Sequence, residues 1–323
     1  MSAAHFCQPY DKADRSGWRY HMKNRDRDGY IIGLNKGTDL VLSLFMILLS
    51  VFMILPVILI LVISFSSESS IAQNGYRFFP SEWSMDAYIF ILHNPGNMIR
   101  AFGLTLVITL AGTAVSLILI STMAYVLSNR EYSLRKVLNW VILIPMFFSG
   151  GLAAAYAVNT QLFGLKNTLF ALILPGACSS WYIIVMRTYF MNNIPDDILE
   201  AARLDGASAF RLYFQFVLPM SKPVLFTVGV FEAFSYWNSW YENLIYTDSG
   251  HSELYTLQYI LYNMERSASW FSANENVSGT VMAAVPTESL RMALACMIII
   301  PVIIIYPFFR RFFVRGLTAG AGK

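Results

Sequence analysis

Several stretches of this sequence are long enough to cross a bilayer and carry no charge, and few folds can accommodate them. Residues 40–65, 104–127, 137–158 and 168–186 each lack Asp, Glu, Lys and Arg. A helix needs about 20 residues to cross ~30 Å of hydrocarbon, and a crossing segment must satisfy its own backbone hydrogen bonds. Two further runs are less pure. Residues 224–241 hold one acid, Glu232, and residues 292–309 form a short run whose helix could begin earlier, near Thr287. The sequence therefore predicts an all-α, polytopic membrane protein with about six transmembrane helices. Composition agrees: 13% of residues are charged and 56% hydrophobic, against roughly 25% charged in a soluble globular chain. The first run is too long for the ~7–15-residue apolar core of a signal peptide and no small-residue cleavage site follows it, so it is expected to remain as a helix.

Six spans put both ends on one side, and basic residues mark the cytoplasmic side. Of the 23 Lys and Arg residues, only Arg77, Arg100, Lys166, Arg266 and Arg291 fall on the connections assigned to the outside. The expected organisation is a cytoplasmic segment 1–38, a transmembrane domain 39–315 and a C-terminal tail 316–323 that frays. The transmembrane domain carries a cytoplasmic hairpin 193–223 and outer loops 66–97 and 242–287. Both outer loops are rich in aromatic residues, which suits a partner surface or an interfacial belt.

Other classes of function lack their signatures. A net charge of +3 without a basic stripe argues against nucleic acid. Cys7, Cys178 and Cys296 show no paired spacing. His5, His21, His93 and His251 all lie outside the spans, and no zinc motif occurs. An enzyme, a metal site and a cofactor are therefore not expected. The sequence holds no phosphate-cradling loop of the G-x-x-x-x-G-K type, so any ATP must be hydrolysed by another subunit. A secondary transporter is the alternative, but it would need several intramembrane carboxylates or two matching halves.

The hairpin is the one stretch that crossing a bilayer does not explain. Asp196 and Asp197 after Pro195 suit a helix start. Asp205-Gly206 is a breaker able to supply a positive backbone angle, and Ser208 suits the cap of a second helix. Phe210, Tyr213, Phe214 and Val217 then follow i, i+3, i+4, i+7, which predicts one apolar face, and Leu218-Pro219 is expected to end the helix. An amphipathic helix–turn–helix of this size suits docking to a cytoplasmic partner; a structural loop lying on the membrane is the plainer reading.

Glu200-Ala201-Ala202, Asp205-Gly206-Ala207, Leu218-Pro219 and Pro223 resemble the EAA motif of binding-protein-dependent ABC import permeases. The resemblance continues in Leu174-Pro175-Gly176-Ala177, Trp237-Asn238-Ser239-Trp240, Tyr306-Pro307-Phe308 and the run from Arg311 to Gly316. It is to the carbohydrate-uptake branch, similar to the shorter permease of the maltose system. It implies a type I importer fold in a bacterial inner membrane. The implied partners are a second permease in a heterodimer, ABC ATPase subunits, an extracytoplasmic sugar-binding protein and a sugar substrate. It also implies that Glu200 and Asp205 anchor the hairpin in an ATPase cleft, that Gly206 makes the turn, and that Ala201, Ala202 and Ala207 permit close approach. An outer element within residues 248–276 would reach into the binding protein.

Glu232 belongs to no motif of that family. An acid in a span costs about 3 kcal/mol and usually faces a partner or a wet cavity. With Tyr236, Trp237, Asn238, Trp240 and Tyr241 it forms a polar, aromatic stretch that either lines a sugar path or packs against a neighbouring helix. Gly150-Gly151, Pro145, Pro175 and Pro301 interrupt helices, as packing contacts or as hinges.

Overall fold

The computed structural model describes residues 36–93, 95–273 and 287–320. Most of the N-terminal segment, the end of the second outer loop and the last residues lie outside them. The long apolar runs form α1 (Lys36–Ser64), α4 (Pro95–Ser128) and α15 (Thr287–Gly320). Each contains an unbroken apolar stretch of spanning length. In α1 most side chains from Leu40 to Ile58 are exposed. The last helix begins at Thr287, and it continues to Gly320, through residues expected to fray. Between α1 and α4 lie the short helices α2 (Glu68–Asn74) and α3 (Asp86–His93).

The remaining apolar runs are broken. The third is not a single helix: α5 (Arg135–Phe147) contains Pro145 and stops at an extended Phe148, and α6 (Gly151–Ala157) restarts from Gly151 at φ 81°. Here the Gly pair and the proline break the span. A π-turn, Val158–Leu162, finishes it. The fourth run is α7 (Leu169–Ile173), a tight turn at Leu174–Gly176, and α8 (Ser180–Asn193), bent by 51°. Pro175 sits at that bend, where its ring removes a backbone donor.

Beyond α8 the chain forms α9 (Asp196–Leu204), α10 (Ala209–Leu212), a π-turn over Tyr213–Val217 and α11 (Leu218–Met220). It then bends by 81° into α12 (Lys222–Trp237), the fifth apolar run. The connection from α12 to α15 carries α13 (Tyr241–Tyr246) and α14 (Leu257–Ala273). No strand occurs among the described residues, only an isolated bridge between Ser66 and Trp83.

α4 is the spine of the Ile58–Lys323 unit, with α12 and α8 packed along it. Toward the hairpin, Ile120, Ala124 and Leu127 of α4 meet Ile183, Met186 and Phe190 of α8 and Val224 and Val228 of α12. Toward the other end, Ala101 joins Ala87 and Ile91 of α3 and Leu290, Ala293 and Leu294 of α15. Small residues permit this closeness, as at other membrane helix contacts. A Cβ added to Gly112 would lie 2.8 Å from the Tyr236 ring, and one on Gly229 would lie 3.2 Å from Leu117.

Candidate functional site

The hairpin is built as a capped turn. Gly206 has φ 80°, the Gly206 amide donates to Arg203 O at 2.9 Å, and the Ala207 amide donates to Ala202 O at 3.0 Å. These two bonds form a Schellman cap, which needs a left-handed residue just past the helix end. Motif residues therefore have a backbone reason: Ala202 supplies a carbonyl, Asp205 ends the helix, Gly206 takes the left-handed position and Ala207 closes the cap. Ser208 Oγ then accepts from the Arg211 amide at 3.4 Å and starts α10.

The predicted apolar face divides in two. Tyr213 and Val217 are 6% and 1% exposed, whereas Phe210 and Phe214 are 78% and 60% exposed. The π-turn between them widens the helix and rotates the two pairs apart, so they do not share one stripe. Leu218-Pro219 does not end the helix either. Pro219 follows the π-turn within continuous helical backbone, and the chain turns at Ser221.

The inward face ties the hairpin to α4. Tyr213 Oη shares a 2.6 Å hydrogen bond with Ser121 Oγ and its ring lies 5.3 Å from that of Tyr125. Arg203 bridges to Glu131 at 3.0 Å, in the connection between α4 and α5. Glu200 lies in a cleft of about 250 Å³ that also receives Tyr125, Glu131, Phe190, Asp196 and Arg203. Leu204 is 90% exposed and so, like Phe210 and Phe214, is not covered by its own chain. Ala201 and Asp205 are exposed as well, and Ala202 is buried.

The polar stretch of the fifth span behaves differently. Glu232 is 2% exposed, with the Ser116 hydroxyl as its polar neighbour. Tyr236 Oη donates to Ile173 O at 2.9 Å, at the bend of the fourth span, and lies 3.0 Å from Ser116 Oγ. Trp237 Nε1 donates to Ile298 O at 3.1 Å, and its ring meets Phe102 edge-on. Glu232, Tyr236 and Trp237 are thus packed between helices. Asn238, Trp240 and Tyr241 reach the connection between α12 and α15: Asn238 Oδ1 accepts from Gln258 at 3.1 Å, Trp240 stacks on Tyr262 at 4.3 Å, and Tyr241 is exposed.

Residues 132–319 match the model of the family described as binding-protein-dependent transport system inner membrane component. The chain belongs to this family. Among curated relatives of this family member, Protein LplC of Bacillus subtilis (strain 168) is 33% identical over 271 residues, covering 84% of this chain and 89% of that protein. The polygalacturonan/rhamnogalacturonan transport system permease protein YtcP, from the same strain, is 29% identical over 289 residues, covering 90% and 99%. A solved chain from a bacterial ABC transporter involved in the import of the acidic polysaccharide alginate superposes with a TM-score of 0.73 at 28% identity, covering 87% of this chain and 99% of that one. The permease is thus a membrane protein with the type I importer fold.

Several supporting residues of the permease escape a motif search. Thr105, Thr109, Ser116 and Ser121 are all buried on α4. Thr105 Oγ1 accepts from the Leu257 amide at 3.0 Å, and Ser116 and Ser121 meet Tyr236 and Tyr213. Hydroxyls at near-helical spacing in an apolar run were the available signal, because a Ser or Thr in a span can hydrogen-bond across to a neighbouring helix as well as to its own backbone. At the start of α15, Glu68 caps the helix, accepting from the amides of Glu288 and Ser289 at 3.0 and 3.2 Å. Nearby, the Tyr76 hydroxyl donates to Glu288, which with burial pushes its pKa up to about 12.

Proposed function

We propose that the chain is one of two permease subunits of a bacterial ABC importer for a sugar. An extracytoplasmic binding protein delivers the sugar and separate ATPase subunits drive its passage. The observation that carries this reading is the Schellman-capped hairpin, which turns Leu204, Phe210 and Phe214 away from its own chain while Tyr213 and Arg203 hold it to α4 and its connection to α5. A rigid element with an uncovered apolar side suits a partner's cleft, and the tie to α4 gives closure of that cleft a route into the spans. In this reading Glu200 and Asp205 are polar anchors, Gly206, Ala201, Ala202 and Ala207 set the turn, and Leu218 and Pro219 join the hairpin to α12. Both termini and the hairpin lie in the cytoplasm, in line with the basic residues.

Sugar as cargo is supported by relatives whose names include polygalacturonan/rhamnogalacturonan, arabinooligosaccharides and diacetylchitobiose. Among the substrate-path candidates, Asn238, Trp240 and Tyr241 would meet a sugar at the outer end, a reading supported by the exposure of Asn238 and Tyr241. Glu232, Tyr236 and Trp237 would act from behind them. α14 lies within the outer element assigned to the binding protein.

Uptake of radiolabelled trigalacturonate and arabinotriose by cells lacking the chain, complemented with wild type or Gly206→Pro, tests this reading. Wild type should restore ATP-dependent uptake of at least one probe and Gly206→Pro should not. Uptake that survives ATP depletion but collapses with a protonophore would overturn it in favour of a secondary transporter.

A further inference from the structure

The start of α5 and the end of α8 bring two arginines together with no acid between them. Arg135 Nη2 reaches across to the Met191 sulfur at 3.7 Å, and Arg187 Nη1 reaches back to Asn139 Oδ1 at 2.9 Å. Arg135 and Asn139 are one turn apart on α5, and Arg187 and Met191 one turn apart on α8, so both guanidiniums occupy one seam, where burial and then the Arg135 charge disfavour the charged form of Arg187. Among the described residues neither pairs with a carboxylate. Their Nε atoms are buried without an acceptor, whereas Arg135 Nη1 and Arg187 Nη2 are neither bonded nor closed off. Lys136 adds a third, exposed cation.

Like charges held side by side at the edge of a membrane call for an anion. The helix on which they sit says which kind. No residue of α5 is buried, and Val137, Trp140, Val141, Ile144 and Phe147 all stand exposed along it. An anion seated between Arg135 and Arg187 therefore has an apolar surface running away from it into the bilayer, with a tryptophan one turn from the charge. Leu134, at the N-cap, offers no side-chain acceptor, so the positive end of α5 faces the same place. We infer that this seam binds the phosphate headgroup of an anionic phospholipid, with Arg135 and Arg187 as its donors and α5 as the track for its acyl chains. Basic pockets between membrane helices recognise lipid headgroups by the same pairing of charge with apolar depth, and a guanidinium fork matches phosphate geometry. The site lies near the hairpin yet stands apart from the import reading, since it requires only a membrane.

The test is native mass spectrometry of the full chain with its copurifying subunits, in mild detergent, titrated with phosphatidylglycerol, phosphatidylcholine or glycerol 3-phosphate. Wild type should retain phosphatidylglycerol on the order of thirtyfold more tightly than the Arg135→Gln/Arg187→Gln variant, from the usual contribution per basic residue near a membrane surface. Should the double variant fail to assemble, each single variant should lose about fivefold. Equal retention by wild type and variants would overturn the inference, as would equal binding of phosphatidylcholine. Displacement of the lipid by equimolar glycerol 3-phosphate would make the site one for free phosphate. Loss of a protein subunit from the variants with lipid binding unchanged would make it a protein interface.

Discussion

The hairpin and the Tyr236–Trp237 corner are both rich in aromatic residues, yet they use them in opposite ways. At the corner, each aromatic polar atom finds a partner on another helix: Tyr236 reaches Ile173 and Ser116, and Trp237 reaches Ile298. On the hairpin Tyr213 turns inward, whereas Phe210 and Phe214 stay largely exposed, Phe214 with one edge against the Tyr213 ring. A side chain whose hydrogen bonds and contacts close within the chain serves packing. One left uncovered beside a rigid cap is available to something else. The comparison predicts that substitutions at the corner damage the fold, whereas substitutions on the outer side of the hairpin leave the fold intact.

The largest effect is expected from Tyr236→Ala. It removes a buried ring and leaves the Ile173 carbonyl and Ser116 hydroxyl short of a partner, at about 3 kcal/mol. The detergent-solubilised protein should melt well below wild type; an unchanged melting temperature would break the contrast. Gly206→Ala comes next. Nothing lies within 4 Å of the added Cβ, so its cost is the left-handed backbone alone, about 1–2 kcal/mol. That cost should appear as faster hydrogen exchange over residues 196–217, with the global melt little changed.

Much of this arrangement was legible in the sequence because its causes are local. Spanning length and absence of charge located the apolar runs, and Asp196, Gly206 and Ser208 located the start, turn and restart of the hairpin, since caps depend on a few neighbouring residues. The break of the third run at Phe148–Gly150, the bend at Ser221 and the π-turn after Leu212 were not legible as such. Composition shows Pro and Gly, but tertiary packing decides whether they bend, split or merely line a helix. The partition of the Tyr236–Tyr241 stretch was hidden for a related reason. Whether an aromatic residue at a span's end points at a neighbouring helix or outward depends on the neighbour, here Gly112 for Tyr236 and Phe102 for Trp237.

Smaller effects sharpen the picture. Tyr213→Phe removes the hydroxyl that meets Ser121, and interhelical bonds of this kind contribute about 0.6 kcal/mol. A modest loosening of the hairpin is expected, and Ser121→Ala should add little to it in a double-mutant cycle. The smallest effect concerns Asp248. Hydrogen bonds from Asn167 and Lys166, together with the Lys166 charge, hold its carboxyl below its ordinary pKa. A depressed carboxylate contributes stability above its unfolded pKa and loses it as pH falls through the folded value. Asp248→Asn should therefore lower stability slightly, by an amount that stays constant between pH 6 and 8, and the difference from wild type should vanish at acid pH, where the carboxyl is protonated in both states; a difference that persists at acid pH would contradict this assignment.

The central claim, that the outer side of the hairpin is an ATPase-docking surface, is tested most directly by copurification. The tagged chain would be isolated from its native membrane in mild detergent as wild type and as Phe210→Asp, and the subunits that accompany each would be identified. The account predicts that wild type brings down a second permease and an ATPase, and that Phe210→Asp keeps the permease, melts as wild type does and loses the ATPase. Full retention of the ATPase by Phe210→Asp, or an intact wild-type complex with no ATPase in it, would contradict the account.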